Sequence, residues 1–327
     1  MTGEKISNNA YVIAEIGFNH GGNPQLAHTM LEAAANCGVN AVKFQTFRAG
    51  ELVLDSAEHF NIIKGAELTE EEHRSLAAAA AGLGVAFLST PFDRHSVELL
   101  DRIGVSAFKV ASMDMTNLPL LRHIGTKGKP VLLSTGMASL VEIAQAIETL
   151  EQAGSGDITL LHCISHYPAS PEETALQTIP YLRTVFGKPV GWSDHTLGNA
   201  VSLAAVTLGA TVIEKHFTSD KGLPGPDHAL SADPSEMAAL VKDIRKIEAA
   251  LAGAAEMLQR KDRAMAMHFR RGVYAARDIE AGECLTEEML LCVRPEAAFN
   301  PAQLPVLLGR VVRQRIGKNQ AITAEML

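Results

Sequence analysis

The stretch Tyr11-Val12-Ile13-Ala14-Glu15-Ile16-Gly17 carries an apolar, strand-like run into an acidic tip, and a helical pattern over Pro24–Asn36 separates it from the next such run at residues 40–46. The same kind of run recurs at residues 85–90, 106–112, 130–135, 157–163, 189–194 and 211–217. Strands that alternate with helices predict an α/β fold with a parallel sheet, and eight of them are the number that closes a (β/α)8 TIM barrel. Such a barrel gathers its chemistry at the carboxyl ends of its strands. The polar residues at those ends are Glu15, Lys43, Gln45, Thr90, Lys109, Ser112, Ser134, His195 and His216.

Composition suits a large buried core. With 327 residues, 47% hydrophobic and only 5% aromatic, the chain has room for a barrel of about 250 residues and a small extra unit. A net charge of -8 argues against nucleic acid or an anionic membrane as partner, since both are held by clustered Lys and Arg. The first ten residues are polar, and no apolar run approaches the roughly 20 residues of a membrane span. Neither a secretory signal nor a transmembrane segment is therefore expected, and the chain reads as cytoplasmic. Cys37, Cys163, Cys284 and Cys292 show no CxxC spacing and are too few for a disulfide framework, so reduced, mostly buried thiols are expected.

Helical spacing of apolar residues continues at 69–82, 139–152, 197–208 and 234–257, with Asn23, Thr69 and Asp233 placed as N-caps. Thr69-Glu70-Glu71-Glu72 has the form of a capping box. After Gln259 a charged stretch, Arg260-Lys261-Asp262-Arg263, gives way to short strands and turns at 272–276, 281–283, 289–293 and 311–315. The expected organisation is a barrel over residues 1–258, a linker over 259–267 and a small β-rich domain over 268–327. A domain of about 60 residues buries little by itself and leans on a neighbour.

Two histidines stand at the tips of the last two strands, in Gly191-Trp192-Ser193-Asp194-His195-Thr196 and Glu214-Lys215-His216-Phe217. Those strands are neighbours in a closed barrel, so the imidazoles can meet. With Glu15, Glu214 and Asp227 within reach, they form a site for a divalent ion of borderline hardness that keeps positions open for water and substrate. Lys43 and Gln45 are two apart on one strand, so both point into the barrel. A buried lysine needs an anion, and Lys109 on strand 4 makes the same demand. Two ammonium groups with the hydroxyls of Thr90, Ser112, Ser134 and Ser193 suit a small, multiply charged anion such as a phosphate or carboxylate. The structural alternative is a Lys43–Glu15 ion pair. No GxGxxG or GxxxxGK[ST] run is present, so a nucleotide cofactor is not indicated. Consecutive Ser193, Asp194 and His195 face alternate sides of a strand and cannot form a catalytic triad.

Nine motifs follow one another in order: Ala14-Glu15-Ile16-Gly17-Phe18-Asn19-His20, Val42-Lys43-Phe44-Gln45, Leu88-Ser89-Thr90-Pro91-Phe92, Phe108-Lys109-Val110-Ala111-Ser112, Leu133-Ser134-Thr135-Gly136-Met137, Leu161-His162-Cys163, Ser193-Asp194-His195-Thr196, Glu214-Lys215-His216-Phe217 and Gly225-Pro226-Asp227-His228. Together they resemble the sialic acid synthase family, in which a phosphoenolpyruvate-condensing barrel precedes a C-terminal antifreeze-like (SAF, β-clip) domain. The resemblance covers nearly the whole chain. It implies condensation of phosphoenolpyruvate with an N-acylated amino sugar, N-acetylmannosamine or a diacetamido hexose, and water, to give a nine-carbon 2-keto acid and phosphate. It further implies that His195 and His216 bind a manganese-like ion, with magnesium or cobalt as substitutes. Lys43, Thr90, Lys109, Ser112, Ser134, Ser165 and Ser193 would hold phosphoenolpyruvate, and Glu15, Gln45, Tyr167 and Asp227 would face the sugar. Glu15 or Glu214 would steer protons. The family's domain-swapped homodimer would bring Arg294 of one copy to the sugar site of the other.

The chain departs from the family pattern at Ser165, where Asn is common, at Glu296, where Gly usually follows the Arg-Pro pair, and in a shorter segment between Leu54 and Glu67. Two other functions stand beside this one. A metal-dependent aldolase or sugar isomerase would use the same barrel without releasing phosphate. A non-catalytic carbohydrate- or ice-binding protein would leave two interior lysines and a histidine pair without a purpose.

Overall fold

The structure, a computed structural model, describes residues 9–252 and 263–327, which fall into two compact units divided between Leu251 and Ala252. In the first unit eight strands run parallel: β1 Tyr11–Gly17, β2 Ala41–Thr46, β3 Ala86–Pro91, β4 Phe108–Val110, β5 Val131–Ser134, β6 Ile158–Cys163, β7 Val190–Asp194 and β8 Val212–His216. Hydrogen-bonded pairing runs β3-β2-β1-β8-β7-β6-β5-β4, and β3 and β4 lie side by side to complete the ring. All eight strands lie within the predicted runs or within one residue of them.

Period-2 alternation sorts every strand into two faces. Val12, Ala14 and Ile16 of β1 pack outward with Ala27, Met30 and Leu31 of the helix Pro24–Asn36, in the main core. Ile13, Ala41, Leu88, Leu161 and Val212 face inward and close the bottom of the barrel. Gly191 completes that layer, since a Cβ there would come within 2.6 Å of Val212 O and 2.7 Å of Leu161 Cδ2. Two residues further along five of these strands stand Glu15, Lys43, Thr90, Cys163 and Glu214, and β7 adds Ser193 by the same step from Gly191. The alternation that builds the floor therefore aims the functional side chains.

Helices cover the barrel from outside. Asn23 accepts from the N–H groups of Gln25 and Leu26, and Thr69 forms the expected capping box with Glu72. Asp233 accepts from Glu236 N–H at 2.9 Å at the start of the helix Pro234–Leu251. The helix expected from 197 starts later, at Ala200, because Gly198 holds a left-handed φ of 72° that an α-helix cannot contain. Residues 253–257 of the last predicted helix, and Arg260, Lys261 and Asp262, lie outside the described residues. Helices at Phe60–Gly65, Arg94–Ile103, Leu118–Gly125 and Thr178–Phe186 were not anticipated. Among the described residues no helix is long and apolar enough to cross a membrane.

The second unit has its own small core, built around Val273, Ala275, Ile279, Leu285, Val312 and Ile316. Of the four stretches expected here as short strands and turns, two form the antiparallel pair β9 Gly272–Ala275 and β10 Leu290–Val293. The stretch 281–283 is a turn in which Gly282 holds φ 94°, flanked by single bridges from Ile279 to Ile316 and from Cys284 to Val311, and 311–315 bridges only at Val311. Part of the stretch expected as linker is the helix Arg263–Phe269. The thiols depart from expectation too: Cys37 and Cys163 are buried, but Cys284 is exposed and Cys292 half-buried, since the small core cannot cover both.

Candidate active site

A cavity of about 240 Å³ opens at the carboxyl ends of the strands. It is lined by Glu15, Lys43, Gln45, Thr90, Lys109, Ser112, Ser134, Ser165, Tyr167, Ser193, His195, Glu214 and His216, which gathers thirteen side chains named from sequence. Asp227 stands beside it, its Oδ2 3.9 Å from His216 Nδ1. Arg294 belongs to the second unit, where it is exposed with its guanidinium 5.2 Å from the centre of the Phe269 ring.

The floor is ionic. Lys43 is 2% exposed and pairs with Glu15, donates to Thr90 Oγ1 at 3.1 Å and lies 3.6 Å from Glu214 Oε2. Lys109 is 3.6 Å from Glu214 Oε1 and donates to Val110 O at 3.2 Å. The Lys43–Glu15 pair anticipated as the structural alternative is thus present, and it coexists with a second lysine. Burial would suppress the Lys43 charge, but Glu15 and Glu214 reverse the effect and raise its pKa. Lys109 is more weakly compensated, and burial lowers its pKa.

The two glutamates are driven apart. Burial raises the Glu15 carboxyl to about 7, outweighing the pull of Lys43, and the charge of Glu214 adds to the rise. Glu214 is equally buried, but Lys109 and Lys43 flank it and Ser193 donates to its Oε1 at 2.9 Å; together they hold it down at about 2. Ser193 is therefore engaged with Glu214. Asp194, its neighbour, faces away and accepts from Lys215 at 2.8 Å and from the hydroxyls of Thr196 and Ser202, so the three consecutive residues form no triad.

His195 and His216 meet with ring centroids 5.5 Å apart. Burial, first of all, lowers the pKa of both and keeps the imidazoles neutral. His195 Nδ1 lies 2.6 Å from Ile164 O; donation there leaves the lone pair on Nε2 free. His216 Nδ1 is buried without a hydrogen-bond partner. Among the described residues no three His, Cys, Asp or Glu side chains converge as a ligand set. Glu15 and Glu214 are taken up by the lysines.

Opposite the histidines, Gly136 brings its N–H to Ser112 Oγ at 3.0 Å. A Cβ at this position would fall 2.7 Å from Ser165 Oγ, 2.8 Å from Ser112 Oγ and 2.9 Å from Cys163 Sγ, so any larger residue would have to displace these three side-chain groups. Cys163, Phe92, Met113 and Met137 also line the cavity and were not singled out from sequence. Cys163 and Phe92 follow Leu161 and Thr90 by two residues and could have been found by counting along the strand. Met113 and Met137 stand beyond strand ends, where no period applies.

The NeuB family model matches residues 30–256, and a SAF domain model matches residues 270–327. The chain belongs to the NeuB family. It is 40% identical over 317 residues to N,N'-diacetyllegionaminic acid synthase of Legionella pneumophila, covering 91% of this chain and 89% of that one. It is 37% identical over 327 residues to the enzyme of the same name from Campylobacter jejuni, covering 95% and 98%. Among solved structures, a sialic acid synthetase from Leptospira borgpetersenii superposes with a TM-score of 0.74 at 36% identity, covering 79% of this chain and 90% of the other.

Proposed function

We propose that this NeuB-family protein condenses phosphoenolpyruvate with an N-acylated amino sugar and water, forming a nine-carbon 2-keto acid and inorganic phosphate. The observation that carries this reading is the buried pair Lys43 and Lys109 sharing Glu214 on the floor of one cavity, directly beside two neutral histidines. Phosphoenolpyruvate brings a phosphate and a carboxylate, and the two ammonium groups with Thr90, Ser112, Ser134, Ser165 and Ser193 offer the donors to hold both. Gln45 and Tyr167 line the cavity and Asp227 stands beside it next to His216, and on this reading they face the sugar. Holding the enol carbon against the sugar aldehyde supplies much of the rate enhancement, since the two reactants are otherwise free to diffuse apart.

The enol carbon, C3, adds to the aldehyde carbon; water adds at C2, and the resulting tetrahedral centre expels phosphate to leave the ketone. Glu15 is suited to hold or release a proton at its carboxylate during water addition, while Glu214 stays ionised and positions the lysines. His195 and His216 suit a manganese-like divalent ion, because one is turned by a backbone carbonyl and the other has a buried nitrogen without a partner. Such an ion supplies Lewis-acid polarisation of the aldehyde oxygen. We further infer a homodimer in which Arg294 of one copy serves the sugar site of the other, and a cytoplasmic setting, where phosphoenolpyruvate is available.

The test is stoichiometry. Incubation with phosphoenolpyruvate and an N-acylated mannosamine should release one phosphate per 2-keto acid formed. Product formation without phosphate would instead favour an aldolase.

A further inference from the structure

The two histidines stand on strands that are tied together behind them. On the outer face of β7, Val190 and Trp192 belong to the main apolar core, and so does Ile213 on β8; the next outward position on each strand is instead charged, Asp194 and Lys215. These two are in register, their side chains are 0% and 3% exposed, and Lys215 donates to Asp194 Oδ2 at 2.8 Å. The carboxylate also accepts from Thr196 N–H at 2.8 Å, from the Thr196 hydroxyl at 2.7 Å and, at 2.6 Å, from the hydroxyl of Ser202 on the helix Ala200–Thr207. Lys215 donates a second bond, to Thr196 O at 2.7 Å. Thr196 is thus held at both its N–H and its carbonyl, and His195 is closed between Asp194 and that grip.

An ion pair taken this far from water contributes little net stability, since apolar side chains of similar volume often hold a fold as well or better. What the charged pair adds is direction: its bonds fix how β7 and β8 lie against each other one residue before His195 and His216. His195 has a ring bond of its own, from Nδ1 to Ile164 O. His216 Nδ1 has no partner, so the direction of its ring rests on the backbone that Lys215 anchors. We propose that Asp194 and Lys215 are positioning residues: they set the spacing of the two imidazoles for a divalent cation while touching neither the cation nor the substrate. Outer residues of this kind orient ligands and thereby set metal affinity. The proposal rests on the reading of His195 and His216 as a metal-binding pair.

Titration of manganese ion into the metal-free protein, with the unbound ion followed by its paramagnetic resonance signal, tests it. Lys215→Met leaves the Asp194 carboxylate three donors. The double variant Asp194→Asn, Lys215→Met keeps an acceptor for Thr196 and removes both charges, so no lone charge is buried and its thermal melt should lie close to the parent's. Manganese affinity should fall about 10- to 100-fold in both variants. Phosphoenolpyruvate affinity of the metal-free protein, measured by calorimetry, should stay within about twofold, because Lys43 and Lys109 are held by Glu15 and Glu214 inside the barrel. Variants that bind manganese as tightly as a metal-binding parent, variants that lose both ligands equally, or a double variant that does not fold would each overturn the positioning role alone. A parent that binds no manganese overturns the metal reading of the histidines and this proposal with it.

Discussion

Lys109→Met is the most informative single change on the cavity floor. Methionine follows the aliphatic stem of lysine, so the cavity keeps its shape and loses one charge. Lys109 is 4% exposed, and its ammonium makes one 3.2 Å bond to a backbone carbonyl and lies 3.6 Å from Glu214. Glu214 keeps Lys43 at 3.6 Å and Ser193 at 2.9 Å after the change, so the folded state is not left with an isolated charge. A charge-assisted hydrogen bond in a desolvated site contributes about 2–3 kcal/mol, which at 1.36 kcal/mol per decade is roughly a 30- to 150-fold loss of phosphoenolpyruvate affinity. Calorimetric titration of phosphoenolpyruvate into parent and variant at fixed pH measures it directly, and KM for the amino sugar should stay within about twofold. An affinity change below about threefold, or an equal loss for both substrates, would refute the assignment of Lys109 to the phosphoenolpyruvate end.

Chelation should abolish phosphate release and manganese should restore it; His195→Ala that turns over normally in metal-free buffer would remove the histidine pair from that role. His20 is 1% exposed, and burial, with His73 nearby, lowers its pKa to about 4. The unfolded chain then binds the extra proton, so this contribution is intact above about pH 6.5 and falls by about 2 kcal/mol between pH 7.5 and 5. Urea melts of His20→Gln should lose that much pH dependence, and an unchanged slope would show that His20 is not its source. Co-expressing His195→Ala and Arg294→Ala subunits should restore about half the parental activity in the mixed dimer if Arg294 acts across subunits, by counting intact sites. A mixed dimer as inactive as both parents means that it acts within its own chain.

What could be read from sequence follows from the strand. Each inward layer residue, such as Ile13 or Val212, is followed two residues later by a cavity side chain and often again two later, as in Glu214 and His216. Apolar runs ending in polar tips therefore announced both the barrel and its chemistry. The helices Leu118–Gly125 and Arg94–Ile103 were given no bounds from the sequence, although Val97, Leu99 and Leu100 of the second are buried together. In the small unit, the stretches read as short strands and turns resolve into the pair β9 and β10, a turn at 281–283 and a single bridge at Val311. Met113 and Met137 gave no signal, for a loop residue's direction is set by the turn that holds it.

The division of labour between the two glutamates is the step that sequence could not take. Glu15 and Glu214 each stand two residues beyond an apolar layer residue, Ile13 or Val212, on the adjacent strands β1 and β8. Their surroundings separate them. Glu214 lies between both lysines and accepts from Ser193, whereas Glu15 has one lysine and a 3.4 Å bond from Gln45, so burial dominates for Glu15 alone. One carboxyl is thus held ionised at about 2 and the other poised at about 7. A group poised near neutrality can exchange a proton with water during the reaction, and a group held ionised keeps two ammonium charges in place for an incoming phosphate. We therefore propose that Glu15 handles the proton and that Glu214 organises the lysines, a distinction created by side chains of five strands, β1, β2, β4, β7 and β8, and by none of them singly.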